Sequence, residues 1–191
     1  MSVRVFLYDD PADVPRFLPF SDSRPIGELR YGAWLIRERV AQAFGAVAGH
    51  VAAPHLAAFT EPGAPPVVTP AAEGLRLFFR SSFVPDRVQE SLTRGSGPVR
   101  FVDATGATIG CALGSGAPWP GADGIAEGWP SVPLPGRRLV GAWLIVGDLA
   151  PVLRGDLAAE VRARDTTRIP AGCTVIGDAT QLIVDDRKSV V

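Results

Sequence analysis

Apolar residues alternate with other residues at the start of the chain, where Val3, Val5 and Leu7 stand two positions apart. This period-two pattern predicts a β-strand over Val3–Tyr8. A loop from Asp9 to Ile26 follows, because its prolines each remove a backbone donor and resist helix formation. Such a loop lies at the carboxyl end of a strand, which is where open α/β folds build their ligand sites.

The apolar spacing changes to a helical period after this loop. The helix is predicted to begin near Gly32, because glycine is costly inside a helix, and to end at Gly45, a typical C-cap residue. Its buried face is predicted from residues at 3.6-residue spacing, namely Ala33, Ile36, Val40 and Ala43.

The rest of the chain alternates strand and helix patterns. They predict strands at 47–53 and 75–83, a hairpin of 99–103 with 107–113, a helical turn at 54–59, and helices at 85–93 and 148–164. The most apolar stretch, Leu139 to Val146, is predicted to be a buried central strand. A Gly/Pro-rich loop at 114–138 holds two tryptophans, which argue against simple disorder. The pattern as a whole predicts an α/β fold with a mixed sheet flanked by helices.

The C-terminal segment has a different spacing. Ile169 and Val175 are six residues apart, as in one turn of a left-handed parallel β-helix, although a plain edge strand or hairpin fits equally well. We therefore divide the chain into an α/β domain at 1–165 and a linker or start of a β-helix domain at 166–191, and we expect the protein to continue beyond Val191.

Composition narrows the function classes. A net charge of −1 gives no broad attraction to nucleic acid or anionic membranes, and the longest apolar run, Leu139 to Leu153, is interrupted by Asp148 and too short to span a bilayer. The start of the chain lacks the features of a signal peptide, so we expect a cytoplasmic protein. Cys111 and Cys173 are then expected to be buried thiols, and two histidines are too few for a zinc site.

Residues 4–44 carry a series of short motifs. They are Tyr8-Asp9-Asp10, Phe17-Leu18-Pro19-Phe20, Arg24-Pro25, Leu29-Arg30, Gly32 and Ile36-Arg37-Glu38. In these motifs the chain resembles the N-terminal domain of a divergent bacterial sugar-nucleotidyltransferase family, named bifunctional UDP-N-acetylglucosamine pyrophosphorylase/glucosamine-1-phosphate N-acetyltransferase-like.

This resemblance implies a Rossmann-like, nucleotidyltransferase-type fold and transfer of a nucleotidyl group from UTP to N-acetylglucosamine 1-phosphate. The implied partners are a nucleoside triphosphate or nucleotide-sugar and a sugar 1-phosphate, with Mg²⁺ as cofactor. A β-helix in the full protein would imply a homotrimer. Base and sugar specificity are not fixed by the sequence.

The chain also departs from the usual nucleotidyltransferase pattern. Asp9-Asp10-Pro11 stands in place of a Gly-rich phosphate loop, Arg24-Pro25 stands in place of Lys-Pro, and no acid lies near Arg80 at the end of the middle strand. These departures favour a second hypothesis, a catalytically degenerate nucleotide-sugar-binding or assembly module of a β-helix acyltransferase. A third hypothesis is a structural domain with no ligand.

The candidate site residues come from the loop and from the two tryptophans. Asp9 and Asp10 are predicted to bind the metal ion, and together with Arg24 they are the catalytic candidates; a turn or capping role is the alternative for the aspartates. The substrate-binding candidates are Arg16, Glu28, Arg30, Trp119 and Trp129. The arginines would either clamp a pyrophosphate or form surface ion pairs. Glu28 would either orient a sugar hydroxyl or pair with Arg30. The tryptophans would either stack on a base or sugar or anchor the loop.

Overall fold

The computed structural model describes residues 3–86, 92 and 97–163, together with 172, 174, 176 and 177. Its strands are Val3–Tyr8 (β1), Arg30–Tyr31 (β2), Trp34–Leu35 (β3), Val47–Val51 (β4), Leu75–Arg80 (β5), Phe83–Pro85 (β6), Val99–Val102 (β7), Thr108–Leu113 (β8), Ser131–Pro133 (β9) and Gly136–Arg138 (β10). Its α-helices are Ile36–Phe44 (α1), Trp143–Gly147 (α2) and Leu149–Ala163 (α3). Short 3₁₀ turns lie at Val14–Phe17, Phe20–Asp22, Ile26–Glu28 and Pro54–Leu56.

Six strands form a mixed sheet in the order β4-β1-β5-β8-β7-β9. Strand β1 is parallel to both β4 and β5, β8 is antiparallel to β5 and β7, and β9 is parallel to β7. Two further antiparallel pairs, β2 with β3 and β6 with β10, lie outside this sheet. The mixed sheet with its helices confirms the predicted α/β class.

The direction of the chain reverses around β1. From β1 the chain passes through α1 to β4 on one side, and it then returns to β5 on the other side. The chain leaves β1 toward β4 and leaves β5 toward β7 and β8, so these two connections run to opposite sides of the sheet. In open α/β sheets ligands bind at such a point, beyond the carboxyl ends of the strands. Tyr8 is in register with Val51 of β4 and with Arg80 of β5, so these three residues mark that edge.

Alternate residues of β1 face the two sides of the sheet. Val5 and Leu7 belong to a buried cluster that includes Val40 of α1, whereas Phe6 and Tyr8 belong to a second cluster. Half-buried Trp119 and Trp129 pack against the second cluster, and Cys111 is buried within it as predicted. The other cysteine, Cys173, lies outside the described residues.

The first helix begins later than predicted. Gly32 is not its first residue but the turn of the β2–β3 hairpin, where its φ of +70° suits glycine, and α1 begins at Ile36. A side chain at Gly32 would also collide with Asp156 and Val152 of α3, so the glycine is required by both the turn and the packing. The end of the helix at Gly45 is confirmed, as are the buried positions of Ile36 and Val40.

The predicted central strand at Leu139–Val146 is wrong. Leu139 is buried, but α2 occupies Trp143–Gly147, with Trp143 60 % and Val146 74 % exposed. Periodicity alone does not separate a short apolar helix from a buried strand. The last strand of the sheet is instead β9, and both β9 and β10, which pairs with β6 outside the sheet, lie in the region predicted to be a loop.

Other boundaries shift by smaller amounts. The strand predicted at 75–83 ends at Arg80, because Ser81 and Ser82 form a turn before β6. The hairpin of β7 with β8 and the helix predicted at 148–164 are confirmed over their described residues. Pro85, the predicted first residue of a helix at 85–93, ends β6, and the rest of that segment lies mostly outside the described residues.

The predicted β-helix start at 166–191 and the domain boundary before it fall almost entirely outside the described residues. Among the helices that the structure describes, none combines the length and the apolar character that crossing a bilayer would need.

Candidate functional site

A cavity of about 470 Å³ opens where β1 and β4 end, beside the reversal point of the sheet. Its lining is mostly apolar and comes from both strand ends, the loop after β1, and the segment around Trp119. The lining residues are Tyr8, Asp9, Pro11, Val14, Pro15, Val51, Ala52, Ala53, Pro54, Trp119, Gly121 and Ala122. Asp9 is the one charged residue among them.

Trp119 forms the aromatic wall of the cavity. Its ring stacks on Phe78 with centroids 4.3 Å apart and an interplanar angle of 21°, and it lies 5.0 Å from the ring of Tyr8. Trp129 packs against the same hydrophobic cluster but does not line the cavity. Of the two tryptophans predicted to stack on a base or sugar, Trp119 therefore lines this cavity and Trp129 does not.

Asp9 continues the β1–β4 pairing through its backbone and turns its side chain toward the loop. Its N–H donates to the carbonyl oxygen of Val51 at 2.9 Å, and its two carboxylate oxygens share the N–H of Ile26 at 3.2 and 3.3 Å. Burial raises the pKa of Asp9, and the nearby Ser81 hydroxyl, the Ile26 N–H and His50 oppose that rise. The pKa of Asp9 stays raised overall, because burial outweighs these three contributions.

Asp10 belongs to a different cluster, centred on Arg80 at the end of β5. Arg80 donates to both carboxylate oxygens of Asp13, at 2.5 and 2.8 Å, and Nη1 lies 3.2 Å from Oδ2 of Asp10. The Ser82 hydroxyl donates to the same Asp13 carboxylate, and Oδ1 of Asp10 accepts the N–H of Ala12 at 2.8 Å. Asp13 raises the pKa of Arg80 through hydrogen bonding and charge, against the lowering effect of burial.

Asp13 and Arg80 are functional candidates that sequence reasoning missed. The feature of the sequence that pointed to Arg80 is its position: it stands at the end of the middle strand, where the family pattern expects an acid. The structure supplies an acid there from another element, since Asp13 comes from the loop after β1 and is buried against Arg80. Sequence spacing does not reveal this pairing, because 67 residues separate its members.

Glu28 lies in a buried ion-pair network and does not line the cavity. Its carboxylate contacts His50 Nε2 at 2.7 Å and accepts a hydrogen bond from Arg37 Nε at 2.8 Å. Burial raises the pKa of Glu28, but the hydrogen bonds from His50 and Arg37 outweigh it and lower the pKa overall. These contacts tie the Ile26–Glu28 turn to β4 and α1, and they hold in place the Ile26 N–H that meets Asp9.

The contacts that the structure describes for Arg24 and Arg30 are to different partners. Arg24 forms a half-exposed ion pair with Glu61 at 3.0 Å, Arg30 is exposed and donates to the Ala33 carbonyl oxygen, and Arg16 is exposed. Within the described part of the chain, no ion pair or hydrogen bond joins these arginines to Asp9 or Asp10. The arginine that holds Asp10 is Arg80.

The donor chemistry is compatible with a magnesium ion. No group of three or more His, Cys, Asp or Glu side chains within the described residues is arranged to hold a metal. Mg²⁺, however, is usually bound by one or two carboxylates together with substrate phosphates and water. The carboxylates of Asp9 and Asp10 retain free lone pairs beside the contacts described above, so the chemistry of these oxygen donors fits.

Comparison with known proteins gives a family for the region that contains β1 to β5. A family model described as sugar nucleotidyl transferase matches residues 5–100, just over half of the chain. No curated protein and no solved structure matches the chain significantly. The matched residues include Asp9, Asp10, Asp13 and Arg80, whereas Trp119 lies beyond them.

Proposed function

The chain belongs to the sugar nucleotidyl transferase family, and we propose that it transfers a nucleotidyl group from a nucleoside triphosphate to a sugar 1-phosphate. A phosphate oxygen of the sugar 1-phosphate attacks the α-phosphorus, the bond from that phosphorus to the β-phosphate oxygen breaks, and pyrophosphate leaves. The observation that carries this proposal is the cavity beside the Asp10–Asp13–Arg80 cluster, at the carboxyl edge of the parallel strands and within the family match.

Catalysis of phosphoryl-type transfer is mainly positioning and neutralisation of charge. Asp9 and Asp10 would hold Mg²⁺, which would offset the charge of the phosphates. Arg16, with its exposed side chain on the loop after β1, and Arg24 and Arg30 are the proposed phosphate contacts. The Arg80 guanidinium keeps Asp10 and Asp13 fixed beside the cavity.

The finer statements come from the resemblance and are proposals here. UTP and N-acetylglucosamine 1-phosphate are the first substrate pair to test. The strand order with its reversal at β1 supports a Rossmann-like assignment. We also propose a cytoplasmic location, a β-helix from residue 166 and a trimer that forms through this β-helix.

One observation favours the binding-module hypothesis. Arg80 stands where the family pattern expects a metal-binding acid, and it pairs with both Asp10 and Asp13. In that case the domain binds a nucleotide-sugar without turning it over. The two hypotheses differ in their metal dependence, because only the enzyme needs a metal ion for its nucleotide.

Pyrophosphate release tests the proposal directly. The full chain is incubated with each common nucleoside triphosphate, Mg²⁺ and a panel of sugar 1-phosphates, and release above the no-sugar control is expected for at least one pair. Folded protein that releases no pyrophosphate, and is stabilised in thermal unfolding by a UDP-sugar equally with Mg²⁺ and with EDTA, would reject the enzyme and support the binding module.

A further inference from the structure

One face of β5 carries three residues whose side chains reach the elements around the first cavity. Side chains alternate along a strand, so Arg76, Phe78 and Arg80 lie on the same face of the sheet. Arg80 holds the two aspartates of the loop after β1, and Phe78 stacks on Trp119. Arg76 is the member of this row that the proposed function does not yet use.

Arg76 is a fully buried arginine that holds a loop by its backbone carbonyl oxygens. Its Nη2 donates to the carbonyl oxygens of Gly114 at 2.7 Å and Ala117 at 2.5 Å, and its Nη1 donates to that of Ala71 at 3.2 Å. Within the described part of the chain, these are its hydrogen-bond partners, and its Nε has none. Burial of a charge is costly even when it is hydrogen-bonded, so packing alone does not account for an arginine here.

The loop that Arg76 holds leads directly to Trp119. Ala117, whose carbonyl oxygen Arg76 binds, is two residues before Trp119. The ring of Trp119 packs on Phe78 with centroids 4.3 Å apart, and it also lines the cavity. Phe78 does not line the cavity, so the cavity meets the part of the ring that Phe78 leaves uncovered. The position of this ring therefore depends on where Arg76 fixes the loop.

The cavity suits the base of a nucleotide better than its phosphates or a sugar. Its lining residues, all of which the structure describes, include no arginine, lysine or histidine, so a phosphate inside would meet no cation. The hydroxyl groups of a sugar would lose their hydrogen bonds to water in a mostly apolar lining. A base is planar, and every base can stack on an aromatic side chain. The volume of about 470 Å³ is in the range of small-molecule sites.

We infer that Arg76 is a positioning residue of the nucleotide site, which fixes the loop at 114–117 and thereby holds Trp119 as the surface on which the base stacks. The inference rests on the proposed function for the nature of the ligand. Arg76 does not line the cavity, so it acts through Trp119 and not by contact with the nucleotide. It also connects the family-matched region to a loop that lies beyond the match.

A double-mutant cycle tests the inference. Equilibrium binding of ATP, GTP, UTP and CTP in Mg²⁺ is measured for the full chain, for Arg76→Met, for Trp119→Ala and for the double variant. Each single substitution is expected to weaken the tightest-binding nucleotide about tenfold. The double variant should bind no more weakly than either single one, because both changes remove the same contact. Losses that multiply in the double variant, or wild-type affinity in folded Arg76→Met, would overturn the inference.

Arg100→Met is the matched control for loss of a strand arginine. Arg100 is half-buried in β7 of the same sheet, donates to the Thr108 hydroxyl oxygen at 3.3 Å and does not line the cavity. Its substitution is expected to leave nucleotide affinity unchanged, whatever it costs in thermal stability. An equal loss of affinity in Arg100→Met and Arg76→Met would show that general destabilisation is the cause and would reject a positioning role.

Two further measurements keep the test open if Arg76→Met does not fold. Arg76→Lys retains the charge but lacks the planar fork of donors, so a loss of about threefold is expected, and it should vanish in the Trp119→Ala background. No loss, or a loss that persists in that background, would count against the inference. Wild-type protein should bind inorganic tripolyphosphate, which has no base, about tenfold more weakly than the best nucleotide. Equal affinities would reject a base in the cavity.

Failure of the inference and failure of the proposed function give different results. Coupling between Arg76 and Trp119 in nucleotide binding, without pyrophosphate release from any sugar 1-phosphate, would reject the proposed function and keep the inference. Pyrophosphate release with the same kcat/KM in wild type, Arg76→Met and Trp119→Ala would keep the function and reject the inference.

Discussion

Two cavities of almost equal volume share no lining residue, and they differ in how many charged residues line them. The first, of about 470 Å³ at the ends of β1 and β4, is lined mostly by apolar residues, and Asp9 is the one charged residue among them. The second, of about 480 Å³, lies among β6, β10 and α3 and is rich in charge. Its arginines are paired: Arg39 with Asp156, and Arg137 with Asp148 at 2.6 Å.

The two cavities have almost the same volume, and what distinguishes them is the pairing of the charged side chains in the second. In the second cavity the ion pairs join elements to one another, and the Tyr31 hydroxyl adds a hydrogen bond to Asp148 at 2.8 Å. Burial, followed by this hydrogen bond, raises the pKa of Tyr31 to about 12. Charges that satisfy one another stabilise a junction between elements, whereas the first cavity is lined by apolar residues and by Trp119, as sites for small molecules commonly are.

The largest effect is expected at the Arg80 cluster that borders the first cavity. Arg80→Met leaves Asp13 and Asp10 without their cation, and removal of one partner from a buried pair costs about 3–5 kcal/mol of unfolding free energy. Urea unfolding at pH 7 measures the loss. A loss below about 1 kcal/mol would show that the cluster is solvated and would remove the contrast between the two regions.

A smaller and pH-dependent effect is expected at Glu28. Its pKa in the folded state is lowered from 4.5, so the ionised side chain stabilises the fold above pH 4.5, and this stabilisation is lost as the pH falls through the lowered pKa. Glu28→Gln should therefore reduce the unfolding free energy by about 2 kcal/mol at pH 7. The difference from wild type should shrink as the pH falls below 4.5. A difference that stays constant down to pH 3 would show that charge is not its source.

Substitution of the two tryptophans distinguishes an effect on nucleotide affinity from an effect on packing stability. Trp119→Ala should lower stability by about 1–2 kcal/mol, because it loses the rings of Phe78 and Tyr8, and should weaken nucleotide binding about tenfold. Trp129→Ala is the matched control, since it packs against the same cluster outside the cavity and should leave the Kd unchanged. Thermal unfolding and equilibrium binding measure the two effects. Equal losses of affinity in both variants would mean that the cavity does not hold the ligand.

The smallest effect is expected in the second region. Arg137→Met removes a pair whose arginine is 52 % exposed, so the cost should be below about 1 kcal/mol, and nucleotide affinity should not change. Because it makes the same substitution as Arg80→Met, it is the control for loss of a guanidinium. A change in nucleotide Kd would show that the second cavity takes part in binding.

The sequence predicted the parts of this site that depend on local pattern. The alternation from Val3 to Tyr8 placed Asp9 and Asp10 at the end of a strand, and the structure has them there. The same reasoning could not place Leu139–Val146, since an apolar run without period is compatible with helix and strand alike. It also could not supply the partners of Arg24 and Arg30, which are Glu61 and the Ala33 carbonyl oxygen.

The sequence by itself determined the α/β class, the leading strand and the position of an acidic pair at its end, because these follow from local periodicity and from proline and glycine chemistry. Only the tertiary structure decided which charges meet. It brought Asp13 onto Arg80 and Glu28 onto His50, and it placed Asp9 and Trp119 at the lining of one cavity. Such contacts join residues tens of positions apart, and the order of strands in the sheet, which local pattern does not encode, determines where they form.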